Sequence, residues 1–466
     1  MHRRNFLLAA AGGLAAGLSR VATESRPPNI VFILTDDLGW GDLSCYGNQR
    51  LKTPNLDRLA DQGTLFTQFY VNGPVCSPSR AAFMTGHFPA RHRIHGHLAT
   101  PEENQRRGMP NFLDPSIPTV ASLLKKAGYR TAHFGKWHLG SGPGAPLPEA
   151  YGFDVVKAVN SNNPHWREDK IPYFRAHSTG LIVDETLRFI KQDLSRPFYV
   201  NVWTLLPHAT LDPTKEQLEP FMKLSPQTAS GHLGAHQIYF ASLRDLDTQL
   251  GRLIDELDKL GLRENTLILF SSDNGPEDIH IRNASHSAFG SPGPFRGRKR
   301  SLYEGGIRVP FIVRWPGRVP AGRVETRSVL SGVDLLPTLL KIAGLPQDDA
   351  LGLDGEDVSD ILFGASRARR KPLFWEWRFA IAGYNINRSP MLAIREGDWK
   401  LLLNPDFSRV ELYDIPRDPM ELNNLADRRP EVVKDLAAKA LAWQKTLPPG
   451  PIDPTAGKND YPWPRD

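Results

Sequence analysis

The sequence predicts an α/β protein: a large central, mixed but mostly parallel sheet flanked by helices, followed by a smaller C-terminal subdomain of antiparallel strands and a helix. Three observations predict it. Compact apolar runs recur and each ends in a polar tip: residues 29–34 at Thr35-Asp36-Asp37, 130–134 at Gly135-Lys136-Trp137-His138, 198–203 near Pro207-His208, and 266–271 at Asp273-Asn274. Helical stretches separate these runs, as parallel strands joined by crossover helices require. Beyond residue 360 the pattern changes to short β runs at 373–377, 391–395 and 399–403 and a final helix at 430–443.

In chain order, Arg3-Arg4-Asn5-Phe6-Leu7 leads into an Ala/Gly-rich apolar run that ends at Leu18, which reads as an export signal over residues 1–22. The paired arginines fit a twin-arginine signal, with an ordinary secretory signal as the alternative, and Gly17-Leu18-Ser19 offers a small-x-small cleavage site. The run is too short to span a bilayer and no later segment is long and apolar enough, so the expected location is periplasmic or secreted. A catalytic α/β domain is expected over 27–360 and the C-terminal subdomain over 361–466. Within the first, the clearest helix runs over 237–260, where Leu243, Leu246, Leu250, Leu253, Ile254, Leu257 and Leu260 recur at spacings of three and four. That stripe faces a core and carries no chemistry. Ligands of open α/β sheets gather outside the carboxyl ends of the strands, so the polar tips are candidates for one site.

The chain has 466 residues, 40% of them hydrophobic, with 40 prolines and 39 glycines spread along it, which indicates many loops on a scaffold with a sizeable core. The net charge of +6 comes from 57 basic and 51 acidic residues. That mild excess suits an anionic substrate and is equally what a soluble protein with a few extra arginines shows, and no stripe of interleaved aromatic and basic residues supports nucleic-acid binding. Two cysteines cannot build a disulfide framework, although a Cys45–Cys76 bond is open as an alternative.

Cys76 opens the run Cys76-Ser77-Pro78-Ser79-Arg80-Ala81-Ala82-Phe83-Met84-Thr85-Gly86, at a loop-to-helix junction. Unpaired N–H groups at a helix start, with Arg80 one turn on, are expected to favour a thiolate there, and Pro78 suits a first helical turn. Asp36, Asp37, Asp273 and Asn274 are hard oxygen ligands at two strand ends, the composition for calcium or magnesium and not for zinc. An isolated acidic pair such as Asp36-Asp37 is more often a solvated turn than a ligand pair. The spacing of Lys136 and His138 sends both to one side of a strand-like tip.

The Cys76 run resembles the maturation signature of the type I sulfatases, Cys-x-Pro-x-Arg followed by Ala-x-x-x-Thr-Gly. Gly128-Tyr129-Arg130-Thr131 with Gly135-Lys136-Trp137-His138 resembles that family's second signature, and Lys299, within 297–310, aligns with its sulfate-binding lysine. Arg298 and Arg300 stand where the family has small residues. Leu206-Pro207-His208 matches a family histidine, and Glu411-Leu412-Tyr413-Asp414 with 418–425 resembles the C-terminal subdomain, so the likeness runs from Asp36 through Asn424.

The resemblance implies an alkaline-phosphatase-like fold and a sulfatase that cleaves a sulfate monoester. It implies that Cys76 is oxidised to formylglycine by a separate protein, a formylglycine-generating or anaerobic sulfatase-maturating enzyme. It further implies that calcium, or magnesium in its place, is held by Asp36, Asp37, Asp273 and Asn274 together with residue 76. Lys136 would hold the formylglycine, Arg80 with the metal would favour its hydrate and an ionised hydroxyl, Lys299 and His208 would bind sulfate with His208 serving the leaving oxygen, and His138 would be the base that releases sulfate. Glu304 to Arg308 is read as a structural turn that buttresses the site. The general look is that of bacterial glycan sulfatases, so the expected substrate is a sulfated carbohydrate. His95, His97, His165, Trp166, Trp377 and Arg378, on expected loops or edges, are candidates for a sugar subsite or for packing. Two other readings stay open: a phosphonate or phosphate ester hydrolase of the same superfamily, and a sulfated-glycan binding protein with unmodified Cys76. A two-zinc phosphatase is disfavoured because ligands for only one hard metal can be placed.

Overall fold

The computed structural model describes residues 26–140, 144–160, 163–164, 174–222, 234–278 and 286–460. The expected export signal and the candidates His165 and Trp166 lie outside them. Ten strands form the large sheet: β1 Asn29–Thr35, β2 Thr64–Tyr70, β3 Arg130–Lys136, β4 Val155–Asn160, β5 Asn163–Pro164, β6 Phe198–Trp203, β7 Thr266–Ser272, β8 Arg308–Arg314, β9 Arg323–Glu325 and β10 Leu330–Ser331. Their order is β10-β2-β8-β7-β1-β6-β3-β4-β5, with β9 also paired to β2.

The central pairs β7/β1, β1/β6, β6/β3 and β3/β4 are parallel, and β8 runs antiparallel to β7 and β2. Every residue of β1 is buried, as suits a central strand covered on both faces. The long helix is Ala235–Lys259, and six of the seven expected stripe leucines and isoleucines, all but Leu260, are buried against the sheet. Leu260 instead caps the helix C-terminus.

A separate four-stranded antiparallel sheet, β11 Leu373–Glu376, β12 Leu392–Glu396, β13 Trp399–Leu403 and β14 Val410–Asp414, packs with the Pro430–Lys445 helix. One apolar cluster joins Phe32 of β1 and Phe83 of the Cys76–Thr85 helix to Trp375, Leu392 and Leu401 of the small sheet. The small sheet therefore shares a core with the large one. The joint also holds charge: the Lys400 ammonium lies 2.9 Å from Glu304 and 2.9 Å from Glu421, all three fully buried. This fits the reading of 304–308 as a buttress.

Candidate active site

Four strand tips meet on one edge. Asp36-Asp37 follow β1, Asp273-Asn274 follow the adjacent β7, His208 lies beyond β6 on the other side of β1, and Lys136 closes β3 next to β6. Lys136 reaches the tip because Gly135 takes a φ of +106°, with a Cβ there falling 1.8 Å from the Trp203 carbonyl oxygen. Only glycine lets β3 lie this close to β6.

The Cys76–Thr85 helix aims its first turn at the same edge and ends at Gly86, whose φ of +69° is the left-handed stop. Cys76 and Arg80, four residues apart, share one face. Fully buried Arg80 donates to Asp273 Oδ2 from Nε at 3.1 Å and Nη2 at 2.7 Å, and to the Lys136 carbonyl from Nη1 at 2.8 Å. Its guanidinium also lies over the Trp203 ring. Arg80 thus ties the helix to two strand tips.

Lys136 donates to both oxygens of Asp36, at 2.8 and 2.7 Å, and Lys299 to Asp37 at 2.7 Å. Burial opposes the Asp36 charge, but Lys136, with His208, Arg80 and Lys299, holds that carboxyl well below its usual range. Burial and then the Asp36 charge push Asp273 up to about 7 despite Arg80. Three buried carboxylates in one spot repel one another, which is the condition a cation relieves.

The donor set fits a hard divalent cation. Ligand atoms of Asp36, Cys76 and Asp273 lie within 4.8 Å of one another, as do those of Asp36, Asp37 and His208. Asn274 donates from Nδ2 to Asp37 at 2.8 Å, yet its buried Oδ1 has no hydrogen-bond partner. A buried amide oxygen left without a donor beside carboxylates is an acceptor waiting for a cation.

The expected Cys76 thiolate is corrected by the structure. Burial pushes the thiol up to about 11, and the Asp273 and Asp36 charges add to that against the help of Lys136 and Lys299. The helix N-terminus is outweighed because the thiol faces the acids. Cys45 and Cys76 are both free, so the alternative disulfide is not formed.

His138 takes the left-handed φ of +55°, which turns its ring into the site from the end of β3. Its Nε2 lies 3.0 Å from the Leu98 carbonyl oxygen. A carbonyl only accepts, so the proton is on Nε2 and Nδ1 carries the lone pair. Burial, with Lys136, His97 and Arg80, lowers its pKa well below the ordinary value, which keeps the ring a neutral base. His208 donates from Nδ1 to the Ala209 carbonyl at 2.7 Å, and its Nε2 lies 3.9 Å from Asp37. Burial lowers its pKa to about 4.

Glu277, three residues past Asn274, is an unforeseen member: Lys299 lies 3.3 Å from it and Arg300 pairs with it. Arg300 thereby borders the site. Arg298 turns away and donates to the carbonyls of Glu277, Ala288 and Gly290. Arg175 is another, half-buried and donating to the His208 carbonyl at 2.7 Å. An acid on the same tip as Asp273-Asn274 was a usable signal for Glu277; nothing in the sequence marked Arg175.

The subsite candidates separate. His95, Trp377 and Arg378 are buried, not on open loops or edges: Glu376 lies 3.2 Å from His95 Nδ1 and 2.7 Å from Arg378 Nε, while Trp377 packs edge-on to Phe379. The intervening glutamate gives both side chains an internal partner. His97 does reach the site, its ring centroid 6.4 Å from that of His138. Burial, then Arg107, Arg300, Lys299 and Lys136, lower its pKa to about 3.

A cation-ready acid cluster at the carboxyl edge of this mixed sheet belongs to a hydrolase of the alkaline-phosphatase-like fold, one that acts on sulfuric esters. The chain is a member of the sulfatase family. A family model described as Sulfatase matches residues 28–345, and one described as N-sulphoglucosamine sulphohydrolase, C-terminal, matches residues 295–445. The chain is 33% identical over 480 residues to arylsulfatase A of Homo sapiens, covering 93% of this chain and 89% of that protein. It is 35% identical over 405 residues to N-acetylgalactosamine-6-sulfatase of Canis lupus familiaris, covering 80% and 72%. The crystal structure of Ps i-CgsB in complex with k-i-k-neocarrahexaose superposes with a TM-score of 0.76 at 25% identity, covering 91% of this chain and 94% of that one.

Proposed function

We propose that this sulfatase removes sulfate from a carbohydrate, using a formylglycine made from Cys76 and a hard divalent cation, calcium or magnesium, held by Asp36, Asp37, Asp273 and Asn274. The observation that carries the reading is the seat of Cys76: among buried acids, with a pKa of about 11, it is a poor nucleophile as a thiol and the right place for a converted residue. The cation supplies a Lewis acid that draws charge from the sulfate oxygens. Formylglycine supplies, as its hydrate, two hydroxyls on one carbon, one to displace the sugar alcohol from sulfur and one whose deprotonation frees sulfate and restores the aldehyde.

The remaining work falls to side chains already in position. Lys136 and Arg80 orient residue 76, the first through Asp36 and the second by spanning Asp273 and the Lys136 carbonyl. Lys299 neutralises the sulfate group, and Glu277 keeps its ammonium in place. His138 takes the proton whose loss frees sulfate, at Nδ1, since Nε2 is committed to Leu98. His208 faces the leaving oxygen; a bound sulfate ester brings negative charge beside the ring and raises its proton affinity, the condition for donating from Nε2.

The sulfated carbohydrate is supported by the relatives' names, and His97 is the subsite candidate that borders the site. Maturation needs a formylglycine-generating or anaerobic sulfatase-maturating enzyme. Export by residues 1–22, periplasmic or outward, completes the reading, and among the described residues no helix is long and apolar enough to cross a membrane. The test is a peptide mass spectrum across Cys76 from protein made in its own host or with a maturation enzyme. Conversion appears as a loss of about 18 Da, the mass difference between CH2–SH and CHO. Turnover of sulfated monosaccharides should accompany the shift. An intact Cys76 from a competent host, with saccharide bound and not desulfated, would put the binding-protein reading in its place.

A further inference from the structure

A second cleft, of about 810 Å³, lies at the joint between the edge of the large sheet and the small sheet, and shares no lining residue with the catalytic cluster. Its walls carry Arg308, Arg327, Arg367, Arg369, Lys371 and Arg395, against only Glu396 and Asp398. Glu396 is already taken by Lys439. Arg369 is held by Asp334, and Arg367 by Glu356 and Asp360, so these two shape the wall more than they charge it.

Arg308 and Arg395 share Glu304, at 3.2 and 3.9 Å, while Lys371 and Arg327 have no carboxylate partner among the described residues. Lys371 donates to two carbonyls, those of Leu353 and Gly355, both at 2.8 Å, and to no carboxylate. Exposed Arg327 has no ion pair among the described residues. Arg395, only 3% exposed, spends its terminal nitrogens on the neutral Tyr70 hydroxyl and, at 2.7 Å, the Gln68 side-chain oxygen, and its buried Nε has no hydrogen-bond partner.

Beneath the cleft the buried charges do not balance. Among the described residues, Arg308, Arg395 and Lys400 face only Glu304 and Glu421, with Glu304 at 3.2 Å from Arg308, 2.9 Å from Lys400 and 3.9 Å from Arg395. A buried cation in excess of its carboxylates is costly unless an anion completes the set. Guanidinium groups recognise oxyanions in a planar, two-pronged fashion, and the volume is that of a small-molecule pocket.

We infer that this cleft is a second, non-catalytic binding site for an oxyanion-bearing saccharide, its anionic group seated at Arg327 and Lys371 above the buried charge of Arg395. The oxyanion part stands on the cleft alone; the saccharide part rests on the sulfated-carbohydrate reading of the active site. Such a site would hold one stretch of a sulfated chain while another is processed.

The test is calorimetric titration of full-length Cys76→Ser protein, which binds without turnover, with a heparin-derived tetrasaccharide and separately with sodium sulfate. Adding Arg327→Glu, on an exposed side chain, should weaken the tetrasaccharide about tenfold or more, with Arg327→Gln giving a smaller loss at unchanged melting temperature. The Arg327→Glu enzyme with Cys76 retained should turn over nitrophenyl sulfate within about twofold of the parent. Tetrasaccharide affinity that survives both Arg327→Glu and Lys371→Glu, or that is lost only with Lys299→Ala, overturns the second site. Sulfate binding sensitive to Arg327 without measurable tetrasaccharide binding overturns the saccharide and leaves a free-sulfate site. Intact tetrasaccharide binding with no sulfate-ester turnover by converted protein counts against the catalytic reading alone.

Discussion

The Lys136 ammonium sits 2.8 and 2.7 Å from the two carboxylate oxygens of Asp36, so one buried lysine grips a residue assigned to the cation. In the proposed site the lysine is therefore both a partner of residue 76 and a competitor of the metal. Lys136→Met should lower kcat/KM by about 100-fold or more, the scale for losing a preorganised charge at a reacting group. It should also raise calcium affinity several-fold, because removing a positive charge beside the acids reduces electrostatic opposition. Nitrophenyl sulfate turnover and a calcium titration read the two effects. A variant that loses activity and calcium together would show that Lys136 acts as scaffolding for the acids.

Cation binding should be visible without turnover. Asp36, Asp37 and Asp273 repel one another in the folded chain and are dispersed in the unfolded one, so a cation selective for the cluster stabilises the fold. At 100 times its Kd that amounts to about 2.7 kcal/mol. Thermal unfolding of Cys76→Ser protein should rise with calcium or magnesium and fall back with a chelator, and Asn274→Leu should blunt the rise. A curve indifferent to both cations would remove the metal from the proposed site.

The Cys76 thiol carries a further expectation. With a pKa of about 11 in place of the ordinary 9.0, only about one thousandth of it is thiolate at pH 8. The sign is that the proton stays on below pH 11 and reactivity appears only as that value is approached. Protein made without maturation should resist iodoacetamide while folded at pH 8 and gain two adducts in denaturant, one each at Cys45 and Cys76. Rapid native labelling of Cys76 at pH 8 would restore the thiolate.

Much of this was legible because β1, β6 and β7 are fully buried, largely apolar runs whose polar tips stand out against them, and β3, though it carries Arg130, Thr131 and His133, ends in the Gly135-Lys136 signature. The strands β2 and β8 did not stand out. β2 carries Thr67-Gln68 where its register with β8 shifts, and β8 begins and ends in arginines. Those arginines are buried only because distant partners receive them, Thr67 O for Arg308 at 2.6 Å and Asp258 for Arg314 at 2.9 Å. The same reason hid half-buried Arg175 and misplaced His95 and Arg378, whose positions depend on carbonyl or carboxylate partners that only the folded chain supplies. Spacing announced Cys76, Arg80, Lys136 and His138, but not the balance of burial against helix dipole that sets the thiol.

The joint between the sheets gives a stability expectation with a definite sign. Burial pushes Glu421 up to about 7, with Glu304 adding to the rise and Lys400 opposing it. Its unfolded value is near 4.5, so between the two pH values the folded chain holds a proton that the unfolded chain has lost. Stability from this group is full below pH 4.5 and is lost as pH rises through 7, on the order of 3 kcal/mol in all. Urea unfolding of the metal-free protein from pH 5 to 8 should show that decline, and Glu421→Gln, neutral at every pH, should flatten it. Lys400→Met should cost about 3–5 kcal/mol at pH 8, because it leaves Glu304 and Glu421 buried together without their shared cation. A Lys400→Met protein as stable as its parent at pH 8, with the slope unchanged in Glu421→Gln, would mean that the triad is solvated and that the joint is held by the apolar cluster alone.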